Sequence, residues 1–145
     1  WFGGASYWHL WNAAANGFET SVRDYEVVKT IYDPSPVGYT VPASGAFASF
    51  DAANTAKGPS ETSGFRNFRF YCSAVQHDDD RTILFRAVGQ RSGSGRGEGM
   101  GQETRYWTAV PATGTRAQVF HLTDRAEMQT TDLSGALPVR PVREK

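Results

Sequence analysis

The sequence predicts an α+β domain dominated by short strands, and three observations predict it. Five runs rich in Val, Ile, Thr and aromatic residues are each bounded by Gly, Pro, Asp or Ser; one amphipathic helical pattern lies early in the chain; and two small, polar stretches read as long loops. The 145 residues suit one compact domain, and 39% hydrophobic with 13% aromatic content is enough apolar surface for a packed core, which excludes a disordered chain. Residues 1–145 are therefore read as a single domain. The opening Trp1-Phe2-Gly3-Gly4 has no initiator Met and no signal-peptide pattern, which marks the chain as the expected C-terminal domain of a longer protein.

In chain order, residues 7–15 form a first helix candidate, with Trp8, Leu10, Trp11 and Ala15 able to face inward. Residues 24–32 read as a strand. Residues 44–56 read as a short amphipathic helix: Ser44 can cap it, Ala46, Phe47, Phe50 and Ala53 share one helical face, and Gly58-Pro59 stops it. Residues 52–64 are otherwise small and polar, a loop by composition. Strands are predicted over 65–73, 81–89, 104–110 and 116–123, the first with an imperfect period that suggests an edge or a bulge. Residues 91–102 carry five glycines in alternation from Gly93 to Gly101, a loop that is either mobile or tightly coiled. A last strand over 137–143 contains Pro138 and Pro141, which cannot donate to a ladder and so belong at a sheet edge.

Fifteen basic and fifteen acidic residues cancel, which leaves no electrostatic footprint for nucleic acid. No apolar run approaches the roughly 20 residues of a membrane span. Twelve of the fifteen basic residues are Arg, whose forked donors suit a recognition surface, although genomic composition also favours Arg. The lone Cys72 cannot close an internal disulfide or build a cysteine zinc site, and its aromatic strand makes it a buried, inert thiol by expectation.

No catalytic residues, metal or cofactor are expected. The glycine-rich stretch lacks the Gly-Lys-Ser/Thr ending and following helix of a phosphate loop. His77-Asp78-Asp79-Asp80 lacks the alternate spacing and Gly turn of a calcium loop and reads as a solvated turn. His9, His77 and His121 show no ligand spacing, and no nucleophile elbow is present. Trp107 reads as a core anchor. Residues 116–132 hold a mixed polar set at strand and turn positions, either an ordinary solvated hairpin or a binding face.

Three blocks together carry a resemblance. Tyr32-Asp33-Pro34-Ser35-Pro36-Val37-Gly38-Tyr39-Thr40-Val41-Pro42 ahead of a short helix, Arg91-Ser92-Gly93-Ser94 with Tyr106-Trp107-Thr108-Ala109-Val110-Pro111, and Pro138-Val139-Arg140-Pro141-Val142-Arg143-Glu144 resemble the "major paralogous domain" of surface lipoproteins and fimbria-associated proteins in Bacteroidetes-type bacteria, over about residues 30–144. The resemblance implies a C-type lectin-like fold: small mixed sheets, one or two short helices and long irregular loops. Tyr39, Val41 and Trp107 are the expected core. Ser35 stands where the family often has Cys, and the Glu-Pro-Asn, Gln-Pro-Asp and Trp-Asn-Asp motifs of calcium-dependent lectins are absent, so calcium-mediated sugar binding is not implied. The related formylglycine-generating enzymes need two active-site cysteines, which one Cys cannot provide.

The unusually varied stretch between the last two blocks is similar to the variable proteins of diversity-generating retroelements, which place randomised positions on one face of a rigid scaffold. That similarity implies a non-enzymatic, extracellular domain binding a protein or glycan at a cell or phage surface. Its face would comprise Arg105, Arg116, Gln118, His121, Thr123, Arg125, Glu127 and Gln129, with Arg91 and Arg96 at the rim. The alternative is a structural module of a fimbrial or lipoprotein assembly, whose corresponding face would be apolar.

Overall fold

The computed structural model describes residues 9–72 and 81–144, leaving aside the side chains of 57–60. Among the described residues ten strands form four small antiparallel sheets: β1 (Tyr39–Thr40) with β10 (Val142–Arg143); β2 (Thr55–Thr62), β3 (Phe65–Tyr71) and β4 (Thr82–Arg86); β5 (Gln90–Arg91) with β6 (Gly97–Glu98); and β7 (Thr104–Thr113), β8 (Arg116–Leu122) and β9 (Ala126–Asp132). Among the described residues about 42% are strand and 6% helical, with no helix of seven residues or more. The α+β expectation, and with it the helix-bearing C-type lectin-like layout, is overturned: the protein is essentially all-β.

The helix expected over 44–56 is replaced by two 3₁₀ turns, Ser44–Phe47 and Ala52–Asn54. The cause lies in the chain crossing beneath the first turn. The Gly45 N–H donates to the Arg23 carbonyl at 2.6 Å, and the Ser44 hydroxyl accepts from the Arg23 N–H at 2.8 Å instead of capping its own turn. A Cβ on Gly45 would lie 2.6 Å from the Asp24 Cβ, so the crossing is too close for the body of a continuous helix. The spacing nevertheless identified the inward face, since Phe47 is buried and Phe50 packs against the same core. Among the described residues of the 7–15 candidate, Asn12 bridges Lys29 and no helix continues; Tyr7 and Trp8 lie outside the described residues.

Residues 24–32 form no strand beyond the Lys29 bridge. Conversely, the expected loop over 52–64 contains β2, which pairs with β3 through two register shifts. The irregularity suspected in β3 therefore belongs to its partner, and β3 is a central strand. The expected strand over 137–143 shortens to β10. Cys72 is exposed, not buried, and Tyr39 is 43% exposed, whereas Val41 and Trp107 are core residues as expected.

The β7–β8–β9 sheet is covered on both faces. On one, Tyr106, Phe120 and Leu122 join Phe47, Phe68, Phe70 and Phe85; on the other, Trp107, Ala109, Ala117 and Val119 join Val41, with Trp11, Leu133 and Val139 at the margin. That double cover explains why β8 is buried at six consecutive positions after Arg116, where a one-sided strand would alternate.

Candidate functional site

Antiparallel pairing sets Arg105 opposite His121 and His121 opposite Glu127, while Trp107 faces Val119 and Val119 faces Gln129. Directly opposed residues share a face, as do residues two apart along a strand. Arg105, His121, Glu127 and Gln129 therefore lie together at one end of the second face of the sheet, beyond the apolar patch of Trp107 and Val119. Glu103, two residues before Arg105, completes the group: its carboxylate lies 2.7 Å from His121 Nε2 through one oxygen and 3.2 Å from an Arg105 guanidinium nitrogen through the other. Gln129 Nε2 donates to Glu127 Oε1 at 2.7 Å.

His121 is buried at 6% exposure. In a neutral ring whose Nε2–H donates to Glu103, Nδ1 is an acceptor, and it has no partner among the described residues. With Glu103 and Glu127 against Arg105, the group supplies donors and acceptors of both signs and no nucleophile within the bonds described. Asp124 pairs with Arg66 and makes no bond to His121. Among the described residues no three His, Cys, Asp or Glu side chains could hold a metal ion.

The glycine-rich stretch is tightly coiled, and it builds the floor under Glu103. Gly99 has φ +64°, its carbonyl accepts from both the Gln102 and Glu103 N–H groups, and a Cβ there would fall 2.3 Å from Glu103 Cγ. Gly99→Ala is expected to cost about 1–2 kcal/mol through the left-handed backbone alone and to push Glu103 off His121. Urea unfolding and the His121 ring resonances check both effects; an unmoved ring signal would dissociate Gly99 from the site.

The remaining expected residues are distributed differently. Thr123 and Arg125 form the β8–β9 turn, where the Arg125 N–H donates to Thr123 Oγ1, so they continue the group at its open end. Gln118 is 4% exposed on the opposite face, and its amide nitrogen donates to the Glu19 and Ser21 carbonyls, both at 2.9 Å; it ties an early segment to the sheet. Arg116 shares that face at the far end and donates to the Thr130 carbonyl. Arg91 and Arg96 are exposed on the β5–β6 hairpin, which is anchored to Ala136, and neither bonds to the group around His121. Sequence reasoning overlooked Glu103, although strand alternation from Arg105 would have placed it. His77 and Asp78 to Asp80 lie outside the described residues.

Among the described residues, cavities flank the sheets. One, of about 460 Å³, runs between residues 24–29 and β10. Another, of about 630 Å³, opens beside the β8–β9 turn. Among the described residues no helix is long and apolar enough to cross a membrane. No family model, curated protein or solved structure matches the chain.

Proposed function

We propose that this chain is a non-enzymatic recognition domain that binds a protein or glycan at a cell or phage surface, outside the cytoplasm, through the end of the β7–β8–β9 sheet bearing Arg105, His121, Glu127 and Gln129. The observation that carries the reading is the register: four residues picked from the sequence for their mixed polarity are brought side by side on one face, with Thr123 and Arg125 adjoining. On the opposite face of the same strands Tyr106, Phe120 and Leu122 pack into the core, and of the four Glu127 is exposed while His121 is buried. Exposed positions such as Glu127 can therefore change without loss of fold, as diversification by a retroelement would require. Recognition on such a face rests on a few anchors within a larger contact area.

An array of proteins and glycans probed with the wild type and with the Arg105→Ala, Glu127→Ala, Gln129→Ala triple variant tests it. Binding by the wild type should fall at least tenfold in the variant, with the thermal midpoint moved by only a few degrees. Undiminished binding would remove the face from the function.

A structural role in a fimbrial or lipoprotein assembly is favoured by a different region. Ile31 and Val37 are 91% and 97% exposed, and Tyr32, Tyr39, Val28 and Val142 lie partly bare nearby in the chain or across β1–β10. On that reading this apolar region, and not the polar face, meets a neighbour. Concentration-dependent sedimentation abolished by Ile31→Ser and Val37→Ser would support it.

A further inference from the structure

The cavity beside the β8–β9 turn has a carbon floor and an acidic lip. Phe68, Phe70 and Leu122 form the floor, contributed by β3 and the end of β8. Asp51, Asp124 and Glu127 stand around it, against a single lining guanidinium, Arg125. Each carboxylate has one oxygen already engaged: Asp51 Oδ1 accepts from the Asn54 N–H at 3.0 Å, Asp124 Oδ1 from Arg66, and Glu127 Oε1 from Gln129. No hydrogen bond occupies the second oxygen of any of the three among the described residues. Asp124 is 85% exposed, so its ion pair leaves it open to a newcomer. Counting Arg66 and Arg125 against three carboxylates, the lip carries a net charge of −1.

From this arrangement we infer that the groove is the anchor subsite of the recognition face, and that its occupant is an arginine or lysine side chain of a partner polypeptide, arginine being the better fit. The aliphatic stem of such a side chain lies along apolar surface while its cationic head stays at the rim, which is the division of carbon and carboxylate found here. A guanidinium offers forked donors for charge-assisted bonds to carboxylate oxygens, which an ammonium does less well and a neutral sugar hydroxyl does weakly. The cavity volume falls in the range that holds a ligand of several residues' size, leaving room for the flanking backbone. Thr123, Arg125 and Glu127 line this groove and also belong to the region proposed above, so the groove, floored from the other side of the sheet, meets that face at the β8–β9 turn. The inference rests on that recognition reading and deepens it by choosing a protein partner over a glycan.

The test is a titration of the full chain, labelled with ¹⁵N, with three tripeptides: acetyl-Gly-Arg-Gly-amide, the same peptide with neutral citrulline for arginine, and the same with glutamate. Saturable shifts are expected at the amides of residues 51–55, 68–70 and 122–127 with the arginine peptide. Affinity should be at least tenfold weaker with citrulline, several-fold weaker between 0.05 and 0.5 M salt, and absent with glutamate. Asp51→Asn with Asp124→Asn, which keeps the turn cap and leaves Glu127 in place, should weaken the arginine peptide at least tenfold with the rest of the spectrum unchanged. No saturable shift, equal shifts with arginine and citrulline, or shifts confined to other residues overturn the inference. So does an array hit that is a glycan and is insensitive to the Asp51 and Asp124 changes. A triple-variant loss on the array without arginine binding in the groove would retain the face and discard the subsite. An arginine peptide that binds the groove beside an array hit untouched by the triple variant would discard the face, and with it the inference.

Discussion

Phe85→Ala is expected to lower the unfolding free energy by about 3–5 kcal/mol, a large part of the roughly 5–15 kcal/mol that holds a domain folded. Phe85 is fully buried on β4 and contacts more of the aromatic cluster than any neighbour of comparable size: its ring centroid lies 5.2 Å from Phe50, 5.4 Å from Tyr106, 5.7 Å from Phe120 and 5.8 Å from Phe70. Several of these contacts are edge-on, the arrangement in which the positive edge of one ring meets the negative face of another. The Arg140 guanidinium closes the outer side, 4.4 Å from the Phe85 centroid, and is fixed there by a 2.7 Å bond to the Leu84 carbonyl. Truncation opens a cavity between two sheets that cannot collapse without moving both. Equilibrium unfolding in urea reads the loss, and a change below about 1 kcal/mol would mean that the site repacks and that the cluster is less rigid than its geometry implies.

Asp33→Ala is expected to cost a similar amount, about 3–5 kcal/mol, because it removes the charged acceptor from a buried network. The Asp33 side chain has no exposed surface. Its Oδ1 accepts from the Ser35 N–H at 2.7 Å and lies 3.1 Å from Lys29 Nζ, while Oδ2 accepts from Thr40 Oγ1 at 2.9 Å and the Val41 N–H at 3.0 Å. The carboxylate thereby pins the Pro-rich segment against the start of the core, so this stretch is a structural staple. Burial alone would raise the Asp33 pKa, but the hydrogen bonds from Val41, Ser35 and Thr40 outweigh it and hold the carboxyl below its ordinary value. A carboxyl depressed on folding is bound by fewer protons in the native state. Its stabilisation is therefore complete above the ordinary value of about 4 and is lost as the pH falls through the lower native one. The stability difference between wild type and Asp33→Asn should be constant from pH 5 to 7 and shrink below pH 4. A difference that stays constant down to pH 2 would show that Asp33 is not depressed.

Both predictions concern residues whose importance was unequally visible beforehand. The stiffness of the Asp33–Pro42 segment is legible, because Pro34 and Pro36 fix their own backbone angles ahead of Gly38. That its carboxylate is buried is not legible, since Asp is usually exposed and its four partners come from positions 29 to 41. Glu103 shows the same asymmetry at the site: strand alternation places it beside Arg105, but only the pairing of β7 with β8 brings His121 to its other oxygen.

Errors in the secondary structure have a common origin in pairing. Residues 24–32 are rich in strand-forming Val, Ile and Tyr, yet no neighbouring strand runs beside them, and a strand is defined by its ladder more than by its composition. The Thr-Ala-Lys-Gly-Pro-Ser-Glu-Thr of β2 reads as a loop, yet β3 offers it an edge, and the register shifts accommodate its Gly and Pro. Over 44–56 the apolar spacing correctly selects Phe47 and Phe50, but the Arg23 backbone engages the Ser44 hydroxyl expected to cap a helix and crosses within contact of Gly45.

The features legible in the residues alone are local: the runs that become β3, β4, β7 and β8, the burial of Val41 and Trp107, and the concentration of mixed polar side chains near the C-terminal end. These follow from residue chemistry within a few positions of one another. Tertiary structure alone decided which face those side chains share, that Gln118 became an internal strut, that an all-β architecture displaced the helices, and that a groove with an acidic lip lies beside the β8–β9 turn. Each of these depends on register between strands or on a chain crossing between distant segments, and a shift of one residue in register would turn Arg105, His121 and Glu127 to opposite sides of their sheet.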